Sequence, residues 1–196
     1  MSVHIIILVS SYLIGSIPFG LILSYMGGLG DIRKIGSGNI GATNVFRKNK
    51  KLAALTLFLD ATKGFISVLL ASNYSSDQTF VLISVMFSII GHMFPIWLLF
   101  KGGKGISTFL GSMVLIEYRF TICFLLCWII FFVKFNYSSL SSIISTTFVM
   151  LLVYMCYTVN DIIIFFNITL LIITQHTDNI IRIFTRKEGK VDIKPY

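Results

Sequence analysis

Apolar runs and short polar breaks alternate from one end of the chain to the other. The first run, residues 3–25, is long enough to cross a bilayer, which takes about 20 apolar residues in a helix. Gly15-Ser16-Ile17-Pro18-Phe19-Gly20 lies inside it. The proline predicts a bend near Pro18, and the glycines predict close helix packing. Residues 52–72 and 79–100 are the second and third runs. The later runs, 106–116, 120–133, 143–158 and 162–174, are shorter. They cross only by tilting, by thinning the membrane locally or by extending through polar neighbours. Polar breaks fall at 26–51, 73–78, 101–105 and 134–142, with a turn at Asn160-Asp161 and a polar tail from 175 to 196. Every expected element is a helix, and hydropathy allows five crossings or seven.

Charge decides for seven. With the N-terminus outside and seven crossings, the first loop, the 101–105 loop, the serine-rich loop and the tail all face the cytoplasm. Together they hold every Lys and Arg except Lys63 and Arg119, the asymmetry that the positive-inside rule describes. Composition agrees: the chain is 56% hydrophobic and only 12% charged, against about 25% charged in soluble domains. Because apolar runs recur to the C-terminus, a signal peptide does not explain them. The expectation is one integral-membrane domain over residues 1–196. A net charge of +8 then reflects basic loops and gives no reason to expect nucleic acid. The cysteines, Cys123, Cys127 and Cys156, sit in apolar runs without a paired pattern and read as packing residues.

Two loops stand out chemically. Residues 36–47 read GSGNIGATNVFR. Gly36, Gly38 and Gly41 allow left-handed backbone and close approach to a ligand, and successive amides in such a turn can form an anion nest. Ser37, Asn39, Thr43 and Asn44 add short polar groups, and Arg47 adds a guanidinium fork suited to phosphate or carboxylate. Residues 101–105 read KGGKG. Lys101 and Lys104 beside Gly102, Gly103 and Gly105 favour a second phosphate contact, although for an isolated lysine interfacial snorkelling is the better reading. No Walker A pattern is present, which argues against an NTPase.

Asp60 and Lys63, three apart inside the second run, share a helix face and can pair. Intramembrane charges mark either such a brace or direct substrate contact. His92 reads as a hydrogen-bonded packing residue or a base. His176 and Asn179, three apart at the end of the last run, project to one side and can serve acid–base chemistry or substrate binding. No H-E-x-x-H, paired cysteine motif or His/carboxylate cluster suggests a metal. No G-x-S-x-G elbow suggests a hydrolase. None of His4, His92 or His176 is followed five residues later by Asp, so the pair of the common glycerolipid acyltransferases is missing.

The stretches GSIPFG (15–20), GSGNIGATNVFR (36–47), LDATKG (59–64), GHMFPIWLLFKGGKG (91–105), SSLSSI (138–143) and HTDNIIR (176–182) follow one another in this order. The chain thereby resembles, over nearly its whole length, the bacterial acyl-phosphate:glycerol-3-phosphate acyltransferases of the PlsY type. The resemblance implies a seven-helix membrane fold in the bacterial inner membrane, with the active site on the cytoplasmic face. It also implies acyl transfer from acyl phosphate to the 1-hydroxyl of glycerol 3-phosphate, giving lysophosphatidic acid and inorganic phosphate. Carried over by motif, it implies catalytic roles for Ser37, Arg47, Lys104, His176 and Asn179. Gly38, Asn39, Thr43, Asn44, Gly102, Gly103, Gly105 and Ser142 become substrate-binding residues. Asp60, Lys63 and His92 read as structural from the residues themselves, and Glu188 falls at the structural acidic position of the family. The implied partners are the two substrates, membrane lipid and an enzyme that supplies acyl phosphate.

Two stretches depart from the family pattern. Lys48-Asn49-Lys50-Lys51 shortens the first loop, and Arg186-Lys187-Glu188 stands where Gly-Thr-Glu is usual. The chemistry needs no cofactor, because an acyl phosphate is already an activated mixed anhydride. Fixed positive groups and positioning supply the catalysis, with Ser37 as hydrogen-bond donor or, less favoured, as nucleophile. The rival readings are a small organic-phosphate transporter, which needs a route through both faces, and a scaffold for lipid synthesis.

Overall fold

The computed structural model describes residues 3–191. Ten α-helices and two short 3₁₀ turns make up the regular structure, with no strand among the described residues. The chain divides into two compact units between Glu117 and Tyr118.

The first unit begins with α1 (Val3–Gly15) and α2 (Phe19–Met26), one apolar segment of 24 residues broken before Pro18. Proline removes a donor and clashes with the preceding turn, so the helix cannot run through it. A break inside a membrane leaves backbone groups without water. Here the Ile17 carbonyl accepts from Lys63 Nζ at 2.9 Å, and Ser16 Oγ both donates to Leu13 O and accepts from Trp97 Nε1. After a 3₁₀ turn at Ile32–Lys34 come α3 (Ala42–Phe46), α4 (Lys50–Tyr74), α5 (Gln78–Met93), a second 3₁₀ turn at Ile96–Leu98, and α6 (Ile106–Ile116). Phe94-Pro95 ends α5, as expected of the residue before proline.

The helices of this unit touch through their smallest residues. A Cβ on Gly15 would lie 2.0 Å from the Ser88 carbonyl oxygen, and one on Gly91 would lie 2.1 Å from that of Tyr12. The α1–α5 crossing therefore admits nothing larger. Gly64 against Thr108 and Gly111 against Ala61 do the same for α4 and α6. Lipid supplies little hydrophobic drive between helices, so close backbone approach and buried hydroxyl bonds such as Ser11 to Ser84 (2.7 Å) hold them.

The second unit comprises α7 (Tyr118–Phe135), α8 (Ser138–Cys156), α9 (Val159–Gln175) and α10 (Thr177–Phe184). Trp128 of α7 stacks on Phe132 and donates to Ser142 of α8 at 3.0 Å.

Three expected loops prove partly helical. The serine-rich stretch 134–142 enters α8 at Ser138. Its hydroxyls bond back to the preceding turn, as Ser141 Oγ does to Tyr137 O, so its polarity marks a helix start. Asn160-Asp161 is the first turn of α9, where Thr158 Oγ1 donates to the Asp161 carboxylate. The tail folds back into α10 after a bend of 54°.

Five segments are long and apolar enough to cross a membrane: Val3–Met26, Lys50–Tyr74, Gln78–Leu98, Tyr118–Phe135 and Ser138–Cys156. The bent pair α9–α10 makes a sixth. The remaining apolar helix, α6, has 11 residues and reaches only about 16 Å at 1.5 Å per residue.

Candidate active site

The first glycine-rich loop is organised around one buried side chain. Asn44, 2% exposed, donates from Nδ2 to the carbonyls of Ile32, Ile35 and Asn39 at 2.9–3.0 Å. Its Oδ1 accepts from the Ser37 amide at 3.1 Å. Gly36 and Gly38 sit at φ +56° and +72°, where a side chain would be strained. A Cβ on Gly36 would also lie 2.3 Å from Asn44 Oδ1 and 3.0 Å from Arg47 Cδ. The Arg47 stem is thus laid across Gly36, beside Ser37. Asp31 starts the preceding turn by accepting from the Arg33 amide. The Arg33 guanidinium, bonded to that carboxylate at 2.8 Å, holds it at about 2, below the usual range. Beneath the loop, Ile32, Ile40, Val45, Leu21 and Ala53 form an apolar cluster.

The structure assigns Asn44 to building the loop. Asn44→Ala would take its only named partner from the Asn39 carbonyl and the Ser37 amide and one of two donors from the Ile32 and Ile35 carbonyls, which keep the Ile35 and Gly38 amides; a buried group left unpaired costs about 1–3 kcal/mol. The expected result is a loop cut readily by protease between residues 26 and 51, with activity lost in parallel. Unchanged proteolysis would remove this role.

Three backbone amides of this loop find partners within the loop itself. The amides of Ser37, Gly38 and Gly41 are bonded to Asn44 Oδ1, Ile35 O and Asn39 Oδ1. Gly41 has an ordinary extended φ of −75°. In the second loop, the amides of Gly102 and Gly103 bond to the carbonyls of Met93 and His92 at 3.0 and 2.9 Å, covering the open C-terminal end of α5. Both amides are thus engaged within the protein. The glycines there permit close contact: a Cβ on Gly102 would meet His92 O at 2.2 Å, and one on Gly103 would meet His92 Nε2 at 2.0 Å. Gly105, at φ +80°, leads into α6.

What the two loops present is side chains. Ser37, Thr43 and Arg47 are exposed, and Asn39 and Lys104 half-buried. Leu98, just before Lys101, packs on the apolar cluster of the first loop, so the two loops adjoin.

Between α4 and α5 lies a fully buried polar group. Lys63 Nζ is 2.8 Å from Asp60 Oδ1 and 2.9 Å from His92 Nδ1.

In the second unit, His176 stands at the bend between α9 and α10, 2% exposed. Its Nδ1 is 2.7 Å from Ile172 O. A carbonyl only accepts, so Nδ1 carries the proton and the neutral ring has its lone pair at Nε2. Asn179 donates to Glu188 Oε1, which also accepts from Ser139 at 2.7 Å. Arg182 Nε reaches Glu188 Oε2 at 2.7 Å. Ser142, 4% exposed, accepts from Trp128. Ser139, Arg182 and Trp128 join this network although the sequence motifs assign them no role. Arg182, three residues after Asn179 on the same helix face, was the available signal.

Burial pushes the Glu188 carboxyl up, and hydrogen bonds from Ser139, Asn179 and Arg182 outweigh it, leaving it below its ordinary 4.5. A carboxyl depressed on folding stabilises fully above its unfolded value and loses that contribution as pH falls through the folded one. Amide protection in α10 is therefore expected to fall on acidification below about pH 4.5. Glu188→Gln should abolish that acid step. Protection that is independent of pH in the native chain would contradict the assignment.

Among the described residues, no three of His, Cys, Asp and Glu come together as a metal-binding set. Residues 5–186 match the family model described as glycerol-3-phosphate acyltransferase. A glycerol-3-phosphate acyltransferase of Ehrlichia chaffeensis is 72% identical over 98% of this chain and 99% of its own length. One from Mesorhizobium japonicum is 41% identical over 97% of each. A crystal structure of PlsY, an integral membrane glycerol 3-phosphate acyltransferase in its glycerol 3-phosphate form, superposes with a TM-score of 0.92. It is 36% identical and covers 97% of this chain and 96% of that one. A lysophosphatidic acid form superposes at 0.89. An all-helical, multi-pass chain whose motifs run in this order across both units is an acyltransferase, and it belongs to the PlsY-type glycerol-3-phosphate acyltransferase family.

Proposed function

We propose that the protein transfers a fatty acyl group from acyl phosphate to the 1-hydroxyl of glycerol 3-phosphate, releasing lysophosphatidic acid and inorganic phosphate. The observation that carries this reading is the match across residues 5–186, together with a structural relative whose crystal forms are named for glycerol 3-phosphate and lysophosphatidic acid. Because the match crosses both compact units, it supports reading residues 1–196 as one acyltransferase domain.

The hydroxyl oxygen of the acceptor attacks the acyl carbonyl carbon. A new C–O ester bond forms, and the bond from carbonyl carbon to phosphate oxygen breaks. The proton leaves the attacking hydroxyl for a phosphate oxygen of the substrate; a protein base at His176 is the alternative that the motif match leaves open. Arg47 and Lys104 hold phosphate charge. Ser37, Asn39 and Thr43 orient the acyl phosphate as side-chain donors. Gly38, Gly102, Gly103 and Gly105 shape the loops that carry these groups. Asn179 and Ser142 contribute buried polar groups of the second unit. Fixed cations and aligned donors lower the barrier because they need no reorganisation as charge develops. The fold stands in the bacterial inner membrane with seven crossings, N-terminus outside and the basic loops cytoplasmic, consistent with the lysine and arginine asymmetry. Membrane lipid surrounds it, and an acyl-phosphate-forming enzyme supplies the donor.

Purified protein in lipid, given acyl phosphate and glycerol 3-phosphate, should form lysophosphatidic acid and phosphate in equal amounts. Phosphate alone would indicate an acyl phosphatase, and neither product from folded protein would refute the reading. Transport is disfavoured by a specific observation: the intramembrane charges of Asp60 and Lys63 are engaged with each other and with Ile17 and His92.

A further inference from the structure

His92 lies outside the groups given a part in the reaction, yet it is placed where it can govern one of them. It is 4% exposed, at the C-terminal end of α5. On one side its Nδ1 faces the Lys63 ammonium at 2.9 Å, and that ammonium is held by Asp60 at 2.8 Å and by Ile17 O at 2.9 Å. An ammonium only donates, so Nδ1 accepts and the ring proton sits on Nε2. On the other side the ring edge at Nε2 lies directly under Gly103, where even a methyl group would overlap it. The His92 carbonyl also accepts the Gly103 amide. One residue thus contacts Gly103 through both its backbone and its ring. Just beyond Lys104, Thr108 Oγ1 of α6 donates to the Asp60 carbonyl at 3.1 Å.

Lys104 therefore stands between two anchors that lead to the same buried group. Gly103 rests on His92, and α6 is fastened to α4 at Asp60. A lysine side chain is long and loses much rotamer freedom on binding. The reach of its ammonium depends on where its backbone is fixed. We infer that His92 is a positioning residue for Lys104: the Asp60–Lys63 pair sets the imidazole, and the imidazole sets the glycine loop that carries the phosphate-holding lysine. This rests on Lys104 holding substrate phosphate, as proposed above, and takes that phosphate to be the one on glycerol 3-phosphate.

The experiment measures kcat, KM for each substrate and the unfolding midpoint for His92→Asn, His92→Ala, Lys104→Ala and the double variants. Asparagine keeps an acceptor for Lys63 and removes the ring edge, so it remains informative if the alanine variant does not fold. Expected for His92→Asn is a rise of about tenfold in KM for glycerol 3-phosphate, short of the about 10²-fold that a 1 Å misplacement can cost. KM for acyl phosphate and the unfolding midpoint should stay near the parent values. In the Lys104→Ala background the same change should add nothing further. Full additivity, or an unchanged KM while Lys104→Ala alone raises it, would overturn the inference and leave the functional reading standing. An unchanged KM in Lys104→Ala itself would remove the phosphate role of Lys104 and the inference with it, leaving acyl transfer to the product assay. A lowered midpoint with both KM values intact would show His92 to be a packing residue only.

Discussion

Arg47→Ala is expected to lower kcat/KM by about 10²–10³-fold, the cost of removing one group that stabilises developing charge. The geometry gives the reason. Arg47 ends α3 in helical conformation, and its stem crosses Gly36 beside Ser37, whose amide is tied to Asn44. The guanidinium is therefore delivered from a braced loop, and little ordering remains to be done when an anion arrives. Charge alone does not replace it. Arg47→Lys keeps the positive charge and loses the planar fork that meets two phosphate oxygens together. It should recover only part of the loss. Steady-state rates in lipid, with unfolding midpoints alongside, separate this from a folding defect. An Arg47→Ala enzyme within about threefold of the parent, well below the range for such groups, would remove Arg47 from the chemistry.

Asp60→Leu and Lys63→Met should each destabilise the protein by about 3–5 kcal/mol, while the double variant should regain most of that loss. Asp60 and Lys63 are each 2% exposed. Taking either away leaves a buried charge that neither water nor a counter-ion can reach. Removing both leaves only apolar groups of similar size, together with the Ile17 carbonyl and His92 Nδ1, which lose the Lys63 donor. Recovery should therefore be large and incomplete. Unfolding midpoints in a fixed detergent report it, and the interaction term of the double-mutant cycle isolates the pair. A double variant as unstable as the worse single one would show that the pair does not act as a unit.

Much of this protein can be read from residue order alone. Continuous apolar length identified the long membrane helices, because a helix must satisfy its own backbone in lipid and needs about 20 apolar residues to do so. Pro18 announced the break in the first segment because proline cannot continue a helix. The three-residue spacing of Asp60 and Lys63 placed them on one helix face, and the ordered motifs pointed to the acyltransferase family.

Other features depended on contacts between distant parts of the chain. Composition made Asn44 one more donor in a glycine-rich loop. Three carbonyls from residues 5–12 positions earlier turned it into the loop's brace. Glycine spacing suggested amide nests, but the open end of α5 took the amides of Gly102 and Gly103, since a helix terminus must find partners for its last carbonyls. The serine-rich stretch looked like a loop until its hydroxyls could bond to the turn behind them. Glu188 acquired its partners only when α10 folded back beneath it. Local sequence sets which groups are available and which segments can be helical. Which donor meets which acceptor is decided by packing, because every buried polar group must find its partner in the folded chain.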